Sequence, residues 1–323
     1  MNLESMQFYG INKEFKQCDY FETDHYQNIL RNVNAAIKSG SIISLTGIVG
    51  TGKTVTSRRI QEAIREENKI LVSKSLANDK RRVTINTLCT ALFADLATKK
   101  YGKLPTQAEK RERKIQALIK ELGKPVALFI DEAHDLQPRT LIALKHLVET
   151  VQDGKGTLSI IVVGHPKLMN DLRHPQLEEI GARVHFFELN VLGVDGVRFI
   201  EWIITNCSED KIKPHEVVTK EAIAFLSERL ITPLQITCYL TRALEKGFVI
   251  GEKPLGIETV KTILSPDLNV LSAALARSGY NFAVLCNRLN AKPSEVRAYL
   301  AGQLGQARTE EIHKEIHQLG ALI

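Results

Sequence analysis

A glycine-rich stretch at residues 47–54, GIVGTGKT, has the residue types and the spacing that bind phosphate. It fits the pattern G-x-x-x-x-G-K-[ST] and lies between a predicted strand and a predicted helix at 53–67. Glycines there let backbone N–H groups turn inward around the phosphates, and the helix N-terminus adds partial positive charge. We therefore expect nucleotide contacts from Gly47, Gly50, Thr51, Gly52, Lys53 and Thr54.

Two carboxylates end a second apolar strand, in the stretch LFIDEAHDL at 128–136. Asp131 can hold Mg²⁺ together with the Thr54 hydroxyl, and Glu132 is placed to polarise a water that attacks the γ-phosphate. An open parallel sheet binds its ligands at the carboxyl ends of the strands, so both motifs should lie at one edge. The two motifs predict ATP and Mg²⁺ as cofactors, Thr54 and Asp131 as metal ligands, and an ATPase.

Polar residues beside two further strands are candidates to complete the catalytic site. His165 follows the strand SIIVV and could contact the γ-phosphate or the water, although a structural turn histidine explains it equally well. Arg183 precedes the fifth strand, from which an arginine can project towards a neighbouring subunit's nucleotide. Arg173 competes for that role, and an ordinary surface arginine is the alternative interpretation of Arg183.

The elements that must position these residues form an alternating pattern. Five β-rich runs alternate with longer helical segments, at 42–46, 69–74, 126–130, 159–163 and 184–189. Continuous apolar strands separated by helices predict an α/β fold with a parallel sheet covered on both faces. We expect four parts: an N-terminal arm and helix at 1–40, a nucleotide-binding core at 41–193, a helical lid at 194–264 and a C-terminal helical module at 267–323.

Composition places the chain among ordinary globular proteins, with 44% hydrophobic and 25% charged residues. The longest apolar runs are far shorter than the roughly 18–20 residues that span a bilayer. The first residues show no signal-peptide pattern, and the five cysteines form no C-x-x-C pair. These features predict a cytoplasmic protein with reduced thiols and no membrane contact.

Positive charge is concentrated in one segment. The net charge is +6, but residues 69–124 alone hold fourteen Lys/Arg and five Asp/Glu. Such a local excess favours a polyanion as partner, and a solvated helix face is the alternative.

The order of these parts resembles that of the AAA+ ATPases. Three stretches narrow the resemblance to bacterial transposition ATPases related to TnsC, TniB and MuB and to the ExeA-like group: IIVVGHPKL at 160–168, RLITPLQITCYLTRALEKG at 229–247, and residues 279–309. The resemblance implies a P-loop AAA+ core with a parallel five-stranded sheet, an all-helical lid and a C-terminal helical module. It also implies a homo-oligomer, as a ring or a helical filament, that binds double-stranded DNA with ATP and works with a transposase and a target-selection protein.

In the ATPases that this chain resembles, the basic part of the core tracks the duplex. The sequence shows no array of base-reading side chains at helical spacing, so contacts to DNA phosphates are expected. The candidate residues are Lys80, Arg81, Arg82, Lys99, Lys100 and Lys103.

The lid departs from a common AAA+ pattern. Many AAA+ lids carry a Pro-Arg pair whose arginine touches the γ-phosphate, whereas this chain has Pro233, Leu234 and Gln235. Gln235 could supply at best a neutral hydrogen bond to the nucleotide. Slow, switch-like hydrolysis would follow.

The C-terminal residues predict two short helices at 282–289 and 294–301, with Pro293 in the break and Ser294 as N-cap. Helices around such a break occur in helix-turn-helix DNA-binding modules and equally in protein-docking modules. His313 and His317 lie four residues apart, which indicates an exposed helix face rather than a zinc site. Other functions remain open: an ExeA-like secretion ATPase, a replicative helicase loader, and a signalling or defence switch.

Overall fold

Five parallel strands form the sheet that the alternating pattern predicts. In the computed structural model, which describes residues 1–74, 83–97, 102–173, 177–209, 212–264 and 271–319, the strands lie in the order β2-β3-β4-β1-β5. Their bounds are β1 Ile42–Thr46, β2 Leu71–Lys74, β3 Val126–Ile130, β4 Leu158–Gly164 and β5 Val184–Glu188. The predicted fold class, an α/β fold with a five-stranded parallel sheet, is confirmed.

Alternate residues of each strand supply two separate cores. Along β3, Val126 and Leu128 belong to one apolar cluster, while Ala127 and Phe129 belong to the other. Both clusters are almost fully buried, because helices cover both faces of the sheet. The helices of this α/β unit are α2 Asp24–Lys38, α3 Lys53–Glu67, α4 Ile85–Leu96, α5 Ala108–Leu122, α6 Pro138–Asp153, α7 Pro166–Leu172 and α8 Glu178–Gly181.

A second, helical unit has a core of its own. Its helices are α1 Leu3–Tyr9, α9 Gly196–Cys207, α10 Pro214–Val217, α11 Lys220–Arg229, α12 Pro233–Val249 and α13 Ile257–Ile263. The core includes Tyr9, which is fully buried and whose hydroxyl donates to the Glu252 carbonyl at 2.7 Å. That bond satisfies the phenol where water cannot reach it.

The contacts divide the chain differently from the four predicted parts. Residues 1–23, 49–52 and 190–274 form the helical unit, and the α/β unit holds the remaining described residues. The α/β unit thus includes the described residues from Leu275 onward, and the unit boundary falls within α14 Leu271–Arg277. The helices that follow are α15 Phe282–Arg288, α16 Pro293–Leu300 and α17 Gln306–Gln318. The division into four functional parts stays a prediction.

One predicted helix start is wrong. Helix α16 begins at Pro293, one residue before the expected start, and Lys292 is its N-cap. Proline is tolerated in the first turn of a helix because a backbone N–H at that position would have no partner within the helix. The Glu295 carboxylate accepts from the Lys292 N–H at 2.7 Å, which leaves Ser294 without the capping role.

Candidate active site

Three adjacent strands bring the candidate residues to one edge of the sheet. β4 pairs with β1 on one side and with β3 on the other, and Thr46 lies opposite Gly164 while Ile130 lies opposite Val162. The loop 47–52 follows β1, Asp131 follows β3, and His165 follows β4. The strand pairing therefore places His165 between the two motifs.

The loop after β1 has the backbone geometry of a phosphate-binding turn. Gly50 and Gly52 both have φ +90°, which side chains rarely tolerate. A Cβ at Gly50 would lie 2.7 Å from the Thr232 hydroxyl. Both the backbone conformation and the lack of space therefore exclude a side chain at this position. Helix α3 then begins at Lys53, and its N-terminus faces the end of the same loop.

Lys53 is held inside this loop. Its side chain is 8% exposed, and its ammonium donates to the Ile48 carbonyl at 3.0 Å. Burial lowers the pKa of Lys53, while the carboxylates of Glu132 and Asp131 act in the opposite direction. A buried cation near two carboxylates at the end of β3 suits a polyanionic ligand that arrives with a metal ion.

The Thr54 hydroxyl and the Asp131 carboxylate meet across the two motifs. Thr54 Oγ1 donates to Asp131 Oδ2 at 3.1 Å, although the residues are 77 apart in sequence. A hydroxyl and a carboxylate oxygen are ligands of the kind that Mg²⁺ prefers. The residues present thus fit the magnesium site that the sequence predicts.

Glu132 has an unusual backbone. Its φ is +53°, in the left-handed region, and it is the residue before a short 3-10 helix at Ala133–Asp135. Its N–H donates to Asp131 Oδ1 at 2.9 Å. A non-glycine residue in this region costs on the order of 1–3 kcal/mol, and such strain clusters at functional sites. The turn leaves the Glu132 side chain 52% exposed, with one carboxylate oxygen 3.3 Å from His134 Nδ1.

His134 and His165 form a buried pair beside this carboxylate. Their ring centroids are 4.1 Å apart in an edge-to-face arrangement. Burial, and to a smaller extent the neighbouring His134, Lys53 and Lys167, lower the pKa of His165 to about 3. Burial also lowers the pKa of His134, against the opposing effect of Glu132. Both imidazoles are therefore neutral at neutral pH.

Sequence reasoning missed His134 as a member of the site. The signal was its position three residues after Asp131, on a turn that follows a strand paired with the strand of His165. Gly164 makes room for it, since a Cβ at that position would lie 3.3 Å from His134 Nδ1.

The two arginine candidates differ in their surroundings. The Arg183 side chain is 60% exposed and forms an ion pair with Glu149 of the same chain. Arg173 is exposed and its guanidinium lies over the Phe186 ring, 5.0 Å from the centroid. Both are accessible enough to face a neighbouring subunit.

Gln235 has a structural task. Its Oε1 accepts from the backbone N–H groups of Ile231 at 3.1 Å and Thr232 at 3.3 Å, so it caps the start of α12. Within the same helical unit, the Leu234 N–H donates to the Gly50 carbonyl at 3.3 Å. The start of α12 therefore contacts Gly50 of the phosphate-binding loop. The side-chain oxygen of Gln235 accepts hydrogen bonds from the two residues that directly precede α12.

Of the predicted DNA contacts, Lys103 alone lies within the described residues. It is exposed, and its carbonyl accepts from the Lys114 ammonium at 2.7 Å. The other five candidates lie outside the described residues: Lys80, Arg81, Arg82, Lys99 and Lys100.

Two arginines of the C-terminal helices have acidic partners. Arg288 pairs with Asp171 of α7, and Arg308 pairs with Glu295 at 3.2 Å and with Glu311 at 2.6 Å. These carboxylates neutralise the positive charge of Arg288 and Arg308, which would otherwise be available to bind DNA phosphates. Close by, the Tyr280 hydroxyl donates to the Leu319 carbonyl and so ties two ends of this helical segment together.

One family model matches a segment that includes most of the α/β unit. Residues 36–172 match a family model described as an AAA domain, a segment that contains the loop 47–54, Asp131, Glu132 and His165. AAA domains belong to ATPases that hydrolyse nucleotide. The match ends before Arg183 and covers less than half of the chain.

A curated relative, general secretion pathway protein A of Aeromonas hydrophila, is 25% identical over 245 residues. The match covers 72% of this chain and 42% of the relative, so the chain spans less than half of that protein's length. Among the described residues, helix length and hydropathy give no candidate for a membrane-spanning segment.

Solved structures share the fold at low identity. Cdc6p from Pyrobaculum aerophilum has a TM-score of 0.55 at 13% identity, over 98% of this chain and 90% of that one. The ORC2 protein of Aeropyrum pernix, in ADPNP–ADP complexes, has 0.52 at 15%, over 96% and 91%. Drosophila ORC bound to DNA has 0.52 at 15%, over 97% and 82%.

The neutral state of His165 predicts a pH dependence of stability. Its folded pKa lies below the ordinary value of 6.5, so the unfolded chain binds this proton more readily. The stabilisation of the folded state by neutral His165 is complete when the pH is above the ordinary pKa of 6.5. It is lost as the pH falls towards the folded pKa of about 3. Between pH 6 and 4, the free energy of unfolding should fall more steeply for the wild type than for His165→Gln. The two slopes should differ by less than about 1.4 kcal/mol per pH unit, because partial exposure of His165 screens the effect. Denaturant titrations at several pH values measure both slopes, and equal slopes would contradict the neutral assignment.

Proposed function

We propose that this protein binds ATP with Mg²⁺ and hydrolyses it at the edge formed by β1, β4 and β3. The observation that carries the proposal is the direct hydrogen bond between Thr54 and Asp131, beside a buried Lys53 and the Glu132 carboxylate. Phosphate, metal and water each have a group of the right chemistry within this one edge.

Each side chain has a task that follows from its chemistry. Lys53 exchanges its bond to the Ile48 carbonyl for the phosphate oxygens, and the backbone N–H groups of residues 50–54 orient them. Thr54 and Asp131 hold Mg²⁺, which neutralises charge on the phosphates. Glu132 accepts a hydrogen bond from the attacking water and so increases its nucleophilicity. The neutral His165 contributes a hydrogen bond to the γ-phosphate side of the site.

Two further features of the proposal concern rate and assembly. Gln235 takes the place of the lid arginine and is occupied in capping α12, which favours slow, switch-like turnover. Arg183 is proposed to reach the nucleotide of the neighbouring subunit in a homo-oligomer, after it leaves Glu149. Arg173 is the alternative for this task.

At the level of biological role, we propose a regulator of DNA transposition that assembles on double-stranded DNA and recruits or activates a transposase. The resemblance of residues 160–168, 229–247 and 279–309 to transposition ATPases supports it, as does the basic segment 69–124. A protein of the same fold, Drosophila ORC, has been solved bound to DNA. A target-selection protein would be the second protein partner.

A secretion-associated ATPase is the second candidate, because the curated relative is general secretion pathway protein A. The two roles differ in what ATP binding controls. A transposition regulator binds duplex DNA when ATP is present, whereas a secretion ATPase has no such requirement.

Glu132→Gln tests the chemical step. The variant should bind ATP as the wild type does and lose turnover by at least about 100-fold, because it keeps the phosphate contacts and removes the water-polarising carboxylate. Steady-state phosphate release and calorimetric ATP binding measure the two effects.

Asp135→Asn is the matched control, since it removes an exposed carboxylate from the same turn without touching the proposed water position. Turnover in Glu132→Gln equal to that of this control would remove Glu132 from the mechanism.

The DNA proposal predicts a ranking of two charge-matched triple variants. Lys80→Ala/Arg81→Ala/Arg82→Ala should abolish ATP-dependent duplex binding, with ATP binding unchanged. Lys292→Ala/Arg297→Ala/Arg308→Ala should weaken it less, because Arg308 is already paired with Glu295 and Glu311.

Fluorescence anisotropy at several salt concentrations measures this ranking. Each lost phosphate contact should reduce the slope of log affinity against log salt by about 0.9. The reverse ranking would place the DNA surface on the C-terminal helices, and duplex binding indifferent to ATP would favour the secretion role.

A further inference from the structure

Three side chains at the active-site edge form a cluster that the hydrolysis reaction does not require as a set. Glu132, His134 and His165 each place one donor atom within 4.8 Å of those of the other two. The carboxylate of Glu132 and Nδ1 of His134 are already 3.3 Å apart. Two imidazole nitrogens and a carboxylate oxygen form a common donor set for Zn²⁺.

The two imidazoles have ring nitrogens that the protein does not satisfy. Nδ1 of His134 and Nδ1 of His165 are buried and make no hydrogen bond with any described residue. The 3.3 Å approach to Glu132 brings His134 Nδ1 close without the alignment of a hydrogen bond. Buried polar atoms are nearly always satisfied, so two unpaired ring nitrogens on adjacent imidazoles indicate a missing ligand.

Local backbone geometry makes this cluster. The left-handed turn at Glu132 directs its carboxylate back over the 3-10 helix that carries His134. β4 ends beside β3 and so delivers His165 against the same ring. Gly164 leaves the space that His134 fills. The burial that keeps both imidazoles neutral also leaves their lone pairs available to a cation.

We propose that Glu132, His134 and His165 form a binding site for a divalent transition ion of the Zn²⁺ class, separate from the Mg²⁺ position at Thr54 and Asp131. Imidazole nitrogen selects for such an ion, whereas Mg²⁺ prefers oxygen ligands alone. The site therefore discriminates between the ion that accompanies ATP and a second ion with a different effect.

The effect of this ion follows from the choice of ligands. As a ligand, the Glu132 carboxylate is no longer available to polarise water, so the bound ion blocks hydrolysis. The phosphate-binding loop and Lys53 contribute no ligand, so ATP binding continues. This consequence depends on the proposed ATPase function, whereas metal binding itself does not.

Co²⁺ titration of the nucleotide-free protein tests the site, with excess Mg²⁺ present to occupy the oxygen ligands. Co²⁺ follows Zn²⁺ in ligand preference and reports its ligands through its visible spectrum. The wild type should bind one Co²⁺ with a spectrum of nitrogen and oxygen ligation, and Zn²⁺ should displace it. His134→Gln and Glu132→Gln should each raise the binding midpoint at least tenfold. Glu132 is half exposed, so its variant answers the question even where a change at His134 disturbs folding.

His313→Gln/His317→Gln is the matched control. These histidines also face each other, with centroids 4.9 Å apart on α17, and they are the other histidine pair in ring contact among the described residues. The control should leave the Co²⁺ spectrum and midpoint unchanged. Loss of the signal in this control would overturn the proposal. A spectrum with thiolate charge-transfer bands would overturn it too, because the metal would then be on cysteines.

Hydrolysis assays separate the two proposals. Zn²⁺ should inhibit ATP turnover of the wild type, a zinc-selective chelator should restore it, and ATP binding should persist throughout. For His134→Gln the inhibition midpoint should rise at least tenfold. A wild type that binds Co²⁺ at this cluster but never hydrolyses ATP would contradict the ATPase function and leave the metal site intact. Full turnover with Zn²⁺ bound at the cluster would contradict the blocking of Glu132.

Discussion

The pairing of β4 between β1 and β3 is the constraint on which the rest of the structure depends. It sets Thr46 opposite Gly164 and Ile130 opposite Val162, so three loops emerge side by side. The phosphate-binding loop, the two carboxylates and His165 come from distant parts of the sequence and meet because of this register. Parallel pairing also buries the strands on both faces, which holds these loops on a rigid support.

Burial at this edge determines how the polar groups behave. Burial lowers the pKa of Lys53, and two nearby carboxylates oppose that effect. Burial is also the main cause that lowers the pKa of His134 and of His165, so both imidazoles are neutral. A neutral imidazole can donate a hydrogen bond or bind a metal ion, but it cannot neutralise phosphate charge. In the proposed function, Lys53 and the metal ion would therefore neutralise the phosphate charge. The histidines would position the γ-phosphate and regulate hydrolysis.

The sequence predicts those parts of the site that depend on local residue patterns. The glycine spacing of residues 47–54, the apolar runs and the carboxylates after 126–130 predict the strands and their common edge. It could not predict contacts that depend on tertiary structure. The left-handed turn at Glu132 and the ring contact of His134 with His165 follow from packing between strands that are far apart in sequence. The capping role of Gln235 shows the same limit, because a glutamine in the first turn of a helix can face its own backbone or a ligand.

The proposed function depends above all on Thr54 and Asp131 as the residues that would hold the Mg²⁺ of a bound ATP. Calorimetric measurement of ATP affinity with and without Mg²⁺ tests it most directly, in the wild type, in Asp131→Asn and in Glu132→Gln. Mg²⁺ should tighten ATP binding in the wild type and in Glu132→Gln, and Asp131→Asn should lose most of this gain. An equal response to Mg²⁺ in all three proteins would contradict it.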